Sequence, residues 1–269
     1  MTQKIVFITG ISSGFGKSMA EYLAQKGHII YGTSRKTLEV NNLINVLKAD
    51  ITDMISVRAA VETVISKEGR IDVLINNAGM GISGSIEYAS AEDIQLQMNT
   101  NFTGMVNVIQ SVLPAMRKQK RGSIINISSI GGLMGLPFQG FYSASKFAVE
   151  GMSEALRMEI KPFNIKVVVI RPGDFITSFT SNRKTDDSLD ANNPYESQFR
   201  KTLSVIETDE KGGLKPDFFA RKLAGIIDKK NPCSTYIIST AEQKLAVVLK
   251  RILPDAMFSA ILGSHYGIK

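Results

Sequence analysis

The chain has 269 residues, 43% hydrophobic and 21% charged, with a formal net charge of +7 and a single cysteine, Cys233. That length suits one α/β domain with a sizeable core. One cysteine excludes an internal disulfide framework and fits a reducing cytosol. No apolar run approaches the roughly 20 residues of a membrane span. Lys and Arg are scattered, with no basic tract interleaved with aromatics, so the charge suits anionic small molecules and does not point to nucleic acid. His28 and His265 stand in no ligand spacing, and no metal is expected. Met1-Thr2-Gln3-Lys4 runs straight into a strand-like segment with no secretory leader, so the expected location is the cytoplasm.

The first predicted element is Lys4–Thr9, where Ile5, Val6, Phe7 and Ile8 read as a short buried strand. It enters Thr9-Gly10-Ile11-Ser12-Ser13-Gly14-Phe15-Gly16, after which Met19, Ala20, Leu23 and Ala24 recur at helical spacing. Strand, Gly-rich turn and helix is the arrangement in which backbone N–H groups at a helix N-terminus receive a pyrophosphate. A plain tight turn would also use glycines. Further strands are predicted at Ile29–Ser34, Val46–Ala49, Val73–Asn76, Ser123–Ser128, Lys166–Arg171 and Thr235–Ile238. Their alternation with helical segments argues βαβ units and a parallel sheet. Tyr142 and Lys146 are four residues apart, about one helical turn. An ammonium beside a phenol favours the phenolate and makes the proton available nearer neutral pH. Taken alone, such a pair reads more plainly as a solvated helical face.

Three motifs in order carry a resemblance: Thr-Gly-x-x-x-Gly-x-Gly from Thr9, Asn76-Asn77-Ala78-Gly79 after Val73-Leu74-Ile75, and Tyr142-x-x-x-Lys146. Together they resemble the short-chain dehydrogenase/reductase family over at least Lys4 to Thr177. The resemblance implies a Rossmann-type, doubly wound α/β fold. Its seven-stranded parallel sheet would run in the order 3-2-1-4-5-6-7, with helices on both faces and the ligand beyond the strands' carboxyl ends. It also implies a catalytic set of Asn101, Ser129, Tyr142 and Lys146. Ser129 lies thirteen residues before Tyr142, with Ser128 as a pocket neighbour, and Asn101 opens Asn-x-x-Gly. Tyr142 would protonate a ketone oxygen as hydride arrives, and Ser129 would stabilise the same oxygen. Lys146 would lower the Tyr142 pKa and bind the nicotinamide ribose. Asn101 would bend its helix and hold a water. The implied cofactor contacts are Gly10, Ser12, Ser13, Gly14, Phe15 and Gly16 at the turn. Asp50 and Ile51 would lie at the adenine, and Asn77, Ala78 and Gly79 would also bind the cofactor. Pro172, Gly173, Ile176 and Thr177 would lie around the nicotinamide, where Tyr142 and Lys146 also belong. The second strand ends at Ser34, where an acid would bind a ribose 2′-hydroxyl, and Arg35 and Lys36 follow. A carboxylate would repel a 2′-phosphate and an arginine can bind one in fork geometry, so NADP is expected in preference to NAD.

The substrate is expected to be a small carbonyl or alcohol compound. Met80, Ile82, Leu133, Met134, Leu136, Phe138, Phe141, Phe175 and Phe179 are candidate pocket residues, although several suit a core or dimer contact equally. They suggest an apolar steroid, retinoid or acyl ketone. Gly131 to Phe138 resembles the 17β-hydroxysteroid and retinol dehydrogenase branch. Ser145 to Ala148 and Lys161 to Asn164 resemble 3-ketosphinganine reductases. The region from Phe175 to about Lys215 is long and mostly polar and reads as a flexible substrate loop. A helical, basic extension is expected over about 241–269, to cover the pocket, pack in a homo-oligomer or lie on a membrane surface. A non-catalytic dinucleotide-binding or sensor protein on the same scaffold would be expected to lack one of the four catalytic residues. All four are present.

Overall fold

Strands built from Ile, Val and Leu are buried on both faces, and that fixes the architecture, because a parallel sheet must be covered on each side. The computed structural model describes residues 2–36, 43–185 and 193–268. Its strands are β1 (Ile5–Thr9), β2 (Ile29–Ser34), β3 (Ile44–Lys48), β4 (Val73–Asn76), β5 (Ile82–Ser83), β6 (Gly122–Ile127), β7 (Ile165–Pro172), β8 (Lys184–Thr185) and β9 (Thr235–Ile238). Seven of them form one sheet in the order β3-β2-β1-β4-β6-β7-β9, parallel throughout. This is the order that the resemblance implies.

Alternation along β1 divides the core. Val6 and Ile8 face a layer holding Met19 and Leu23 of α1 (Gly14–Gln25) and Phe219 and Leu223 of α7 (Pro216–Ile227). Ile5 and Phe7 face the other side. There they meet α2 (Met54–Glu68), α4 (Gly104–Gln119) and α5 (Gly140–Glu159) through Val61, Val112 and Val149. Helix α3 (Ala91–Met98) leads into α4 through a π-helical turn, Asn99–Thr103. Such a turn inserts one residue into the ladder and redirects the side chains it carries.

Three features differ from the sequence reading. The third strand runs Ile44–Lys48 instead of Val46–Ala49, because Ile44 pairs with Ile30 at the start of the ladder. A small parallel ladder joins Ile82–Ser83 to Lys184–Thr185, two segments too short for any periodicity to announce them. Most plainly, the region expected to be a structureless loop contains α6 (Glu196–Lys211). Phe199, Thr202 and Ile206 lie on one buried face of it. Its charged outer residues make the segment polar on average and hide that narrow stripe. The polar stretch at 186–192 lies outside the described residues.

The extension after β9 folds as α8 (Ala241–Ile252) and α9 (Asp255–His265). Val247 and Phe258 bury against Met134, with Ile130, Leu133 and Leu136 beside them. The tail thus packs on the 130–136 segment of its own chain. Leu245, Val248 and Ile252 remain on its exposed side.

With Phe199 and Ile206 buried, α6 should stay folded without ligand. Hydrogen exchange on the ligand-free protein should find the amides of 200–210 protected. Exchange there as fast as in an unfolded chain would contradict the docked helix.

Candidate active site

The turn after β1 closes on itself with no room for side chains. Gly10 has a φ of +72°, and a Cβ on Gly16 would sit 2.0 Å from the Gly10 carbonyl oxygen. Asn77 bolts the turn to the end of β4. Its Nδ2 donates to the carbonyls of Thr9 (2.9 Å) and Gly10 (3.0 Å), and the N–H groups of Asn77 and Ala78 both donate to Thr9 Oγ1 at 3.0 Å. Helix α1 begins beyond Ser13, whose side chain makes no capping bond, and its first turn carries no acid. The first N–H groups of α1 are therefore open to an anion. A cleft of about 450 Å³ lies there, bounded by Ser12, Ser13, Gly14, Lys17 and Thr177. These residues fit the pyrophosphate of a dinucleotide. Phe15 offers only its backbone, because its ring stacks on Phe219 at 4.1 Å and meets Phe175 edge-on at 4.8 Å.

The other expected cofactor residues lie at the carboxyl ends of the neighbouring strands β2, β3 and β7. Ser34 is buried at the end of β2, its Oγ accepting the Lys36 N–H, while Arg35 and Lys36 are exposed. The Asp50 carboxylate already accepts from the N–H (2.9 Å) and hydroxyl (2.7 Å) of Thr52. Ile51 packs against Gly104. Pro172 ends β7, and Gly173 N–H bonds Ile238 O at 3.0 Å. A Cβ on Gly173 would strike Gln243, so α8 presses directly on this turn.

The four polar residues expected to act together do meet. Asn101 is fully buried in the π-helical turn. Its Oδ1 accepts the Met80 N–H (2.8 Å), and its Nδ2 donates to Met80 O (2.9 Å) and Ser145 Oγ (3.0 Å). Lys146 is 5% exposed, and its Nζ donates to Ile127 O at 3.0 Å. A Cβ on Gly79 would touch Asn101 Oδ1 at 3.3 Å and Lys146 Nζ at 3.7 Å, so both converge above Gly79. The Ser129 hydroxyl hydrogen-bonds the Tyr142 side chain and also accepts the Gly131 N–H at 3.0 Å. Lys146 Nζ lies 5.7 Å from the Tyr142 ring centre.

The electrostatics correct one expectation. Burial pushes the Tyr142 phenol up to about 12, against the opposing Ser129 hydrogen bond. The charges acting on it are those of Glu210, Arg183 and Asp174. Lys146 gives one of its three N–H groups to the Ile127 carbonyl, and burial pulls Lys146 itself down to about 8. Tyr142 thus holds its proton through neutral pH, as a proton donor must.

Phe179, a candidate pocket residue, does lie beside Tyr142, whereas Arg183, Glu210, Asp174 and Gln243 escaped the sequence reading. Phe179 lies 5.8 Å from the Tyr142 ring, and Arg183 packs over Phe179 at 5.8 Å. Arg183 pairs with Glu210 of α6, and both charges act on Tyr142. Asp174 bonds Gln243, and burial pushes its carboxyl up to about 6. None of these four belongs to a motif, so only tertiary structure brings them together. Of the candidate pocket residues, Phe175 and Met134 take the core alternative, both buried in apolar clusters.

A family model described as short chain dehydrogenase matches residues 4–188. The chain is 51% identical, over all of both chains, to a 3-ketodihydrosphingosine reductase of Bacteroides thetaiotaomicron. It is 31% identical, over 94% of each chain, to an NADPH-dependent 3-dehydrocapnine reductase of Ornithobacterium rhinotracheale. The solved structure of a short-chain dehydrogenase from Streptomyces avermitilis matches with a TM-score of 0.82 at 25% identity, covering 97% of this chain and 95% of that one. That of ElxO with NADP bound matches with a TM-score of 0.71 at 26% identity, covering 88% and 96%.

Because burial holds Lys146 near 8, its charge is present below that pH and lost above it. NADPH affinity should therefore fall as pH rises through about 8, and Lys146→Met should bind weakly with no such dependence. Titrations across the neutral and alkaline range check this. A wild-type affinity that does not change through that range would contradict a charged Lys146 at the cofactor.

Proposed function

The chain belongs to the short-chain dehydrogenase/reductase family and is an oxidoreductase acting on CH–OH groups, and we propose that it uses NADPH to reduce a long-chain, largely apolar ketone of the 3-ketodihydrosphingosine class. The observation that carries the reading is the meeting of Tyr142, Ser129, Lys146 and Asn101 beside the turn after β1. The nicotinamide supplies the hydride. In this reading Tyr142 gives its proton to the carbonyl oxygen, and Ser129 donates a hydrogen bond to that oxygen as charge develops on it. Lys146 binds the nicotinamide ribose and carries positive charge into the site. Asn101 fixes the Met80 backbone and Ser145 beside Lys146. Gly173, pressed by Gln243, seats the ring, and Thr177 reaches the phosphates. The product is a secondary alcohol.

The substrate class is supported by the relative at 51% identity over the full length, a 3-ketodihydrosphingosine reductase, and favours a sphingoid ketone over a steroid or retinoid. The preference for NADPH is supported by the absent acid at Ser34, the adjoining Arg35 and Lys36, and the NADPH-dependent relative. No described helix is long and apolar enough to cross a membrane. The reading places the enzyme in the cytoplasm as a homo-oligomer, for which the exposed Phe147 and Met158 on α5 offer an apolar face.

Two outcomes are expected. Tyr142→Phe should keep NADPH binding but lose at least about a hundredfold in kcat toward 3-ketodihydrosphingosine, in line with general acid catalysis. Near-normal turnover would sink the assignment. Arg35→Ala should weaken NADPH binding by roughly tenfold and leave NADH unchanged, the loss of a charge-assisted hydrogen bond to the 2′-phosphate. Equal losses for both cofactors, read by fluorescence titration, would show that Arg35 does not meet the phosphate.

A further inference from the structure

One buried charge has no part in the proposed chemistry. The Arg183 side chain is 2% exposed, yet among the described residues its guanidinium makes one bond, from Nη2 to Glu210 Oε1. Among the described residues its Nε and Nη1 have no partner. Unmet donors on a buried cation are unfavourable, and native proteins rarely leave them unless something else fills the place. Arginine also cannot shed its charge to relieve the strain.

The place is well defined. Arg183 sits over Phe179, which in turn packs on Tyr142. The next residue, Lys184, donates its N–H to Gly81 O at 3.1 Å, next to the Met80 backbone that Asn101 holds. Glu210 is fixed from the other side by Thr180, whose Oγ1 donates to it at 2.6 Å. A hollow of about 340 Å³ opens on the Glu210 side of the pair, lined by Ile176, Thr177, Thr180, Glu207, Glu210 and Lys211, the last paired with Glu207, and Arg183 stands behind Glu210. A carboxylate has about four acceptor sites, so Glu210 can take a further donor. Asp174 also faces this region, tied to Gln243, and Asp209 is tied to His265.

A purely anionic head group would meet Glu210, Glu207 and Asp174. A plain ammonium would leave Arg183 unsatisfied. Opposite charges side by side match a group that offers a cation and a neutral acceptor together. We propose that Arg183 and Glu210 form the head-group site of an amino ketone: Glu210 accepts from an ammonium on the carbon next to the ketone, and Arg183 donates through Nε and Nη1 to a hydroxyl oxygen one carbon further. The proposal rests on the ketone reduction proposed above and adds the specificity to it. 3-Ketodihydrosphingosine bears those two groups beside its ketone. Octadecan-3-one has the same chain and ketone and neither group.

The test measures NADPH-dependent reduction of both ketones by wild type, Glu210→Gln and Arg183→Met. Wild type should favour the amino ketone. Each variant should raise KM for it by roughly tenfold or more, the loss of a charge-assisted contact, and cut the preference for it over octadecan-3-one by the same factor, with NADPH affinity within about twofold of wild type. A second arm needs no variant: N-acetylation, which removes the ammonium, should make dihydrosphingosine at least about tenfold weaker as an inhibitor of wild type. Equal losses on both ketones would show a structural ion pair only and overturn the proposal. So would unchanged kinetics on the amino ketone, or equal inhibition by the acetylated compound. If wild type reduces octadecan-3-one without preferring the amino ketone, the head-group site falls while the ketone reductase reading stands. If wild type reduces neither, both fall.

Discussion

The bond from Lys146 Nζ to the Ile127 carbonyl joins the middle of α5 to the carboxyl end of β6, and the rest of the site is arranged around it. An ammonium this deeply buried is tolerable only with close acceptors and compensating charge. The fold provides the Ile127 carbonyl at the end of β6 and the nearby Glu150 carboxylate. Glu150 is in turn gripped by Arg171 of β7 in two parallel bonds of 2.9 and 2.8 Å. Burial then decides the chemistry. It brings the Lys146 pKa down toward the physiological range and lifts that of Tyr142 away from it, so the two groups part in proton affinity although they stand one turn apart.

Placing those groups requires the sheet to be exact in register at its carboxyl edge. Asn76 of β4 donates to Asn126 of β6, and Asn126 donates to Ser153 of α5. This buried chain locks two strands and the catalytic helix together, and specific polar bonds of this kind resist slippage better than apolar contact does. The π-helical turn adds the last adjustment, since it swings Asn101 inward to hold Met80 and Ser145 at once. At the other side, α8 reaches back through Gln243 to Gly173 and Asp174, so the extension after the last strand forms part of the site's wall.

Most of this was legible in the sequence where local patterns carry the physics. The apolar runs ending at Thr9, Asn76 and Ile127 could only be buried strands. The glycines at 10, 14 and 16 mark a turn that has no room for side chains, and the four-residue spacing of Tyr142 and Lys146 fixes a shared helix face. Where the pattern is tertiary the sequence was silent or misleading. Helix α6 shows an average polarity that conceals Phe199 and Ile206, and Arg183 and Glu210 meet across a stretch with no motif at all. The direction of the Tyr142 shift was misread for the same reason. Proximity to Lys146 is written in the spacing, whereas desolvation and the engagement of Lys146 by a backbone carbonyl appear only once the chain is packed.

The central claim is that this cleft passes a hydride to a ketone carbon and a proton from Tyr142 to its oxygen. The direct measurement is reduction of 3-ketodihydrosphingosine with NADPH deuterated at the transferring position of the nicotinamide, followed by mass spectrometry of the alcohol. The account predicts one deuterium on the carbinol carbon of the product from wild type and none from Tyr142→Phe over the same time. Unlabelled alcohol, or label delivered equally well by the variant, would contradict it.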